Sequence, residues 1–242
     1  MRRRILPRPR PWGLLLALGL PATADGPHPL AAQTGRIEGT VELAPSLENA
    51  RVRFRPYAAP GPGAVAPVDD SDSSGPMTVV IYLDSLPADV TTRQAPGHPV
   101  VHQRNQVFEP ALLPIPLGST VDFFNDDPIF HNVFSLSGTK TFDLGRYAQG
   151  QSKAVRFDQE GVVPVFCHIH SDMRAIILVL DTPYFTQPDA AGRFGLEGIT
   201  PGEYTLVAWH NRVQPFRTRI RIGSAETLRV RLSLPMIEGG GP

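Results

Sequence analysis

Apolar residues recur along this 242-residue chain either at every second position or in short unbroken runs. Alternation predicts a strand buried on one face, and an unbroken run predicts a strand covered on both. Residues 36–43 alternate, as do residues 51–57, where Val52 and Phe54 face away from Arg51, Arg53 and Arg55. Residues 77–83 form an apolar run that predicts a buried strand. A second group follows from Val100, with strands expected at 113–116, 120–125, 129–135, 153–158 and 162–167. Residues 175–180 are wholly apolar and predict a central strand. After Asp181, Phe194 and Leu196 alternate, Pro201-Gly202 turns the chain, and Tyr204, Leu206 and Ala208 alternate again. Leu228, Val230, Leu232 and Leu234 then oppose Arg229, Arg231 and Ser233. No stretch beyond the N-terminal region carries a helical period, so the expected class is all-β.

Composition agrees with this pattern. Twenty-six prolines, twenty-two glycines and 41% hydrophobic residues suit a β-protein rich in turns. Residues 58–76 are dense in Ala, Pro, Gly, Asp and Ser, cannot bury apolar area, and are expected to form a loop. Residues 237–242 are a glycine-rich tail. The formal net charge is zero, which gives no reason to expect a nucleic-acid partner.

The N-terminus reads as an export signal. Met1-Arg2-Arg3-Arg4 and further arginines precede an apolar stretch from Trp12 to Leu20, and Ala22-Thr23-Ala24 follows as a small-residue cleavage site. Residues 1–24 are therefore expected to be removed, with cleavage near Ala32 as the alternative. The apolar stretch is shorter than the roughly 20 residues needed to span a bilayer. No second such run follows, so no stable membrane insertion is expected and the location is periplasmic or extracellular.

The chemistry concentrates in Cys167-His168-Ile169-His170-Ser171-Asp172-Met173, which holds the only cysteine, with His131 thirty-six positions upstream. These residues offer one thiolate, two imidazoles and one thioether. Two imidazoles and a thiolate in a trigonal plane, with a weak axial methionine, form a blue-copper electron-transfer site. Structural zinc takes four Cys or His ligands and has no use for a thioether. A c-type haem needs Cys-x-x-Cys-His, and the first cysteine is missing. A nucleophilic cysteine beside a histidine remains an alternative, but it leaves Met173 and the second loop histidine without a role. A buried structural thiol with incidental histidines is the plainest alternative. An exported chain with one cysteine forms no internal disulfide, and binding a metal as thiolate protects the sulfur from oxidation. On the predicted strands, His131 sits on one, Cys167 ends another, and His170 and Met173 lie on the loop that follows. Alternation points His168 away from the metal.

Residues 100–180 resemble the cupredoxin family. The spacing of Cys167, His170 and Met173 is similar to that of its short-loop amicyanin members, and Val121-Asp122-Phe123-Phe124-Asn125 through His131-Asn132-Val133 looks like its first-ligand strand. The resemblance covers about a third of the chain. It implies a Greek-key β-sandwich holding one type 1 copper. His131, Cys167 and His170 would be the equatorial ligands and Met173 the axial one. Asn132, beside the first ligand, would tie the two ligand segments together by hydrogen bonds.

The flanks resemble something else. Gly192-Arg193-Phe194 and Pro201-Gly202-Glu203-Tyr204-Thr205-Leu206 look like a carboxypeptidase regulatory-like (transthyretin-like) β-domain, with Gly39-Thr40-Val41 and Val79-Val80-Ile81-Tyr82-Leu83 as its first strands. This implies a second small β-sandwich made of residues 35–90 plus 181–236, with the cupredoxin domain inserted as residues 91–180; a tandem order is the alternative. Proteins described as methylamine-utilisation-like share this look.

The expected function is electron transfer between redox protein partners, with no enzymatic activity. Two other classes stay open: an accessory module that binds carbohydrate or protein, and a copper-delivery protein. His98 and His102 are expected at the surface, and Trp209 is expected to pack against its own sandwich, with His210 beside it. Arg217, Arg219, Arg221, Arg229 and Arg231 read as solvated faces, or as a docking surface for an acidic redox partner. Asp126 and Asp127 read as turn formers or as residues that tune docking.

Overall fold

The computed structural model describes residues 33–44, 78–87, 90 and 95–234. The expected signal segment, the strand at 51–57, the loop at 58–76 and the glycine-rich tail lie outside the described residues. All regular structure among the described residues is β.

Two strands come first, β1 (Gly35–Leu43) and β2 (Val79–Asp84). Nine follow: β3 (Val100–Arg104), β4 (Val107–Glu109), β5 (Leu112–Pro116), β6 (Thr120–Asn125), β7 (His131–Leu136), β8 (Thr141–Tyr147), β9 (Ser152–Arg156), β10 (Gly161–Phe166) and β11 (Arg174–Leu180). The last five are β12 (Phe185–Thr186), β13 (Arg193–Ile199), β14 (Gly202–His210), β15 (Val213–Ile222) and β16 (Thr227–Leu234).

These strands form four sheets. The order β5-β11-β10-β7-β8 faces β4-β3-β6-β9, and the order β12-β2-β14-β15 faces β13-β1-β16. The strands on either side of residues 100–180 therefore share sheets with one another, whereas β3 to β11 share sheets only among themselves.

Alternation explains each core. Val121 and Phe123 of β6 meet Val163 and Val165 of β10 and Ala175, Ile177 and Val179 of β11 in the first. Ile37 and Val41 of β1 meet Val79, Ile81 and Leu83 of β2 and Leu206 and Ala208 of β14 in the second. The unbroken runs need a partner for their other face, and they provide it for each other. Val80 and Trp209 form a third cluster with Leu112, Leu178 and Leu180. This corrects the expectation for Trp209. The indole packs beside Val80 of its own sheet and also against strands β5 and β11 of the other sandwich, because the outward positions of β11 are apolar and need cover.

Gly39 is a tight backbone position inside β1. A Cβ there would lie 2.5 Å from Cζ of Phe194 and 2.7 Å from Cγ2 of Val230. Both separations are shorter than a carbon–carbon contact allows, so a neighbour must shift, and Gly39→Ala is expected to cost about 1–3 kcal/mol, the usual penalty of overpacking. Chemical denaturation checks this: the midpoint should fall while the denaturant slope stays unchanged.

Candidate metal centre

His131 opens β7, pairs with Tyr147 at the end of β8, and is fully buried. Cys167 follows the last residue of β10. Because Phe166 pairs with Arg174, residues 167–173 form the loop that closes the β10–β11 hairpin. Two backbone bonds close that loop: Cys167 N–H donates to the Met173 carbonyl (3.2 Å), and Met173 N–H donates to the His170 carbonyl (3.2 Å). Cys167 and Met173 are thereby held at adjoining positions of the same core cluster, with Met173 fully buried. His170 projects from the loop and is half-buried.

The sulfur of Cys167 lies 4.0 Å from Nδ1 of His131 and 3.9 Å from Nδ1 of His170. All three donor atoms lie within 4.8 Å of one another, and the two imidazole rings are 4.9 Å apart at 63°. The set fits a metal ion. Three N and S donors at bond lengths of about 2.1 and 2.3 Å in a trigonal plane stand about 3.6–3.8 Å from one another. The structure thus brings His131, Cys167 and His170 together as the expected donors, and buries Met173 in the cluster that contains Cys167.

Asp127 is the residue the sequence concealed. Nε2 of His131 donates to Oδ2 of Asp127 at 2.8 Å. This bond keeps the proton on Nε2 and turns the Nδ1 lone pair toward the sulfur, which is the outer-shell arrangement that orients metal-binding histidines. Asp127 is itself fixed on all sides. Asn105 N–H donates to its Oδ1 (2.7 Å), Gln106 N–H donates to its Oδ2 (2.9 Å), and its own N–H donates to Oδ1 of Asn125 (3.0 Å). Burial raises the Asp127 pKa, but the donors from Gln106, His131 and Asn105 outweigh it and hold the carboxyl below its ordinary value. The two-residue turn between β3 and β4 that presents these amides has φ of +53° at Asn105 and +61° at Gln106. Fully buried Asn125 anchors the other end, donating through Nδ2 to the carbonyls of Ile129 (2.8 Å) and Tyr147 (3.1 Å).

Asn132 is buried beside His131, but its side chain does not bond the ligand loop. Nδ2 donates to Oδ1 of Asp143 on β8 (2.6 Å), and its own Oδ1 is buried without a hydrogen-bond partner. The pairing of β7 with β8 shifts register between Asn132 and Phe134, which places the amide beside the Asp143 carboxylate. His168 is exposed and lies outside the donor cluster, as alternation requires. His98 and His102 contact Asp122 and Asp126 at 2.8 and 2.7 Å near the surface. His210 is buried: its Nδ1 accepts from Arg212 N–H (3.2 Å), its Nε2 meets Oγ1 of Thr78 (3.1 Å), and burial lowers its pKa.

Three exposed apolar side chains adjoin the two histidines in the chain. Ile129 and Phe130 precede His131, and Ile169 precedes His170. Phe130 is the most exposed of the three, at 59%.

No protein-family model matches the chain, and no curated protein sequence matches it. Solved structures do. A reduced variant of amicyanin matches at 24% identity and a TM-score of 0.32, over 34% of this chain and 80% of that one. A purple cupredoxin from Nitrosopumilus maritimus matches at 25% identity and 0.31, over 34% and 98%. A copper-containing nitrite reductase from Thermus scotoductus SA-01 matches at 25% and 0.34, over 38% of this chain and 24% of that one. Each likeness is confined to little more than a third of this chain, so the donor set, not the likeness, carries the functional reading.

Proposed function

We propose that this chain is an exported electron carrier that holds one type 1 copper through His131, Cys167 and His170, with Met173 as the weak fourth ligand. The observation that carries this reading is the triangle of one nitrogen from buried His131, one from half-buried His170 and the buried Cys167 sulfur, all within 4.8 Å of one another. Bound there, copper would supply a one-electron couple. The residues supply the rest. Asp127 holds His131 in the tautomer that leaves Nδ1 free. Strand β7 and the closed loop fix the donors in place, so little rearrangement accompanies a change of charge. His170 offers the half-buried edge of the site, and Ile129, Phe130 and Ile169 offer apolar surface on which a redox protein partner would dock. In this reading the chain catalyses no reaction of its own.

Residues 91–180 would be the cupredoxin domain, set into a regulatory-like β-sandwich of residues 35–90 plus 181–236. The sharing of sheets by β1 and β2 with the strands after residue 181 supports that division. A periplasmic or extracellular location follows from the N-terminal signal. Among the described residues, no helix is long and apolar enough to cross a membrane.

One observation favours a second reading, an accessory binding module. A cavity of about 650 Å³ lies where Tyr82, Trp209 and Arg217 approach Glu160 and Val162. Retention of glycan or protein binding by a Cys167→Ala chain would support that reading.

Titration of the purified chain with Cu(II), followed by optical and EPR spectra, tests the carrier. One equivalent should bring up an intense visible thiolate-to-copper band with narrow copper hyperfine splitting. Weak spectra of ordinary Cu(II) would overturn the proposal.

A further inference from the structure

We infer that His168 is a positioning residue, whose ring straps the ligand loop to the β7–β8 hairpin and so fixes Cys167 relative to His131. This rests on the carrier reading above and deepens it. The bonds that close the loop, from Cys167 to Met173 and from Met173 to His170, are internal to the β10–β11 hairpin. They shape the loop without tying it to the strand that holds His131. Asn132 does not supply that tie, because its Nδ2 is spent on Asp143 and its Oδ1 has no partner.

Phe134, three residues past His131 on β7, supplies it: its backbone pairs with Phe166 at the end of β10, and its side chain carries the contact on into the loop. Phe166 and His168, the residues on either side of Cys167, both pack on its ring. The Phe166 ring lies 5.8 Å away at 41°, and the His168 ring lies 3.8 Å away at 9°, a close stack. Cys167 is thus bracketed from both sides by contacts to one side chain of the strand that begins with His131. Asp143 backs the stack. Its Oδ1 accepts from Asn132 Nδ2 and from Gly145 N–H (2.8 Å), and its Oδ2 faces Nε2 of His168 at 3.7 Å. That last separation exceeds hydrogen-bond range, so the flat stack is the principal contact. One carboxylate therefore links the first-ligand strand, its hairpin partner and the residue next to the thiol.

The test uses the full chain in two forms. In the metal-free form, Cys167 is buried and reacts with a thiol-specific disulfide reagent only when the loop opens, so the labelling rate reads loop opening. His168→Ala is expected to raise that rate roughly tenfold, and His168→Phe, which keeps a flat ring on Phe134 and carries no titrating group, should return it to within about twofold of the original. In the copper-loaded form, His168→Ala should shift the visible band and the reduction potential, and His168→Phe should restore both. An unchanged labelling rate in His168→Ala overturns the strap, as does a rise that His168→Phe fails to reverse. Equal spectra and potentials in all three chains overturn the positioning role. The labelling arm needs no metal, so a chain that binds no copper would sink the carrier reading while the strap is still tested.

Discussion

Cys167→Ser will bind Cu(II) without the intense visible band. The thiolate is the soft donor of the set, and it alone gives a strong charge-transfer transition and favours Cu(I). A serine hydroxyl stays protonated at neutral pH and offers a hard, weak oxygen in its place. The chain has no second thiol to take over. Metal affinity should fall by more than the 10–100-fold typical for loss of an outer-shell partner, because a ligand itself is removed. The metal-free chain should suffer far less. Cys167 is 6% exposed, and burying a hydroxyl without a good partner costs about 1–3 kcal/mol. Optical spectra and thermal denaturation of the two chains, each with and without Cu(II), separate these effects. A band of equal intensity in both chains would remove Cys167 from the site.

Asp127→Ala will weaken both the fold and the site. The carboxylate accepts three N–H groups at 2.7–2.9 Å, from Asn105, Gln106 and His131. Truncation removes the acceptor of all three; water can reach the amides of exposed Asn105 and Gln106, whereas the fully buried His131 N–H is left unmet, and an unmet buried donor costs about 1–3 kcal/mol. A loss of about 3 kcal/mol is expected by denaturation, together with a 10–100-fold loss of metal affinity as His131 becomes free to rotate. Asp127→Asn keeps the shape and one acceptor oxygen, but aims an NH2 group at donors, so its effect should fall between. The pH dependence follows from the lowered carboxyl. Its contribution is complete above the ordinary value of 3.8 and fades as the pH falls through the lower, folded-state value. A variant as stable and as tightly loaded as the original chain would show that the His131–Asp127 bond does not orient the site.

The donor loop was legible in the sequence because its chemistry is local. Three of the four expected ligands lie within seven residues, and spacing alone assigns them to one turn of a hairpin. Strands β1, β10, β11 and β16 were legible because each shows two clear faces or none. Strand β8 was not. Phe142 and Leu144 alternate with Asp143 and are only partly buried, Gly145 turns the backbone to φ +64° and puts the buried Tyr147 out of that period, and the strand pairs on one side only. Strand β4 is three residues long and carries too little pattern to detect. Asp127 was hidden for a different reason. It read as a turn former, and what makes it a histidine partner is a pair of amides from a turn twenty-two and twenty-one residues earlier. The double-sided burial of β2 and β11 could be foreseen, but the surface that covers them could not, since Trp209 and Leu178 come from different sandwiches and no local pattern pairs them.

The pairing of β1 with β16 has a mechanical consequence. The two strands run parallel and in register over eight residue pairs, from Arg36 with Thr227 to Leu43 with Leu234. A pull applied at residues 35 and 234 loads that ladder in shear, so its hydrogen bonds share the force and must yield together instead of unzipping one at a time. The strands that carry His131 and Cys167 lie between β2 and β12 in the chain, outside this path. Tension entering from either flank is therefore borne by the outer sandwich, and the donor geometry is shielded from it until the clamp gives way.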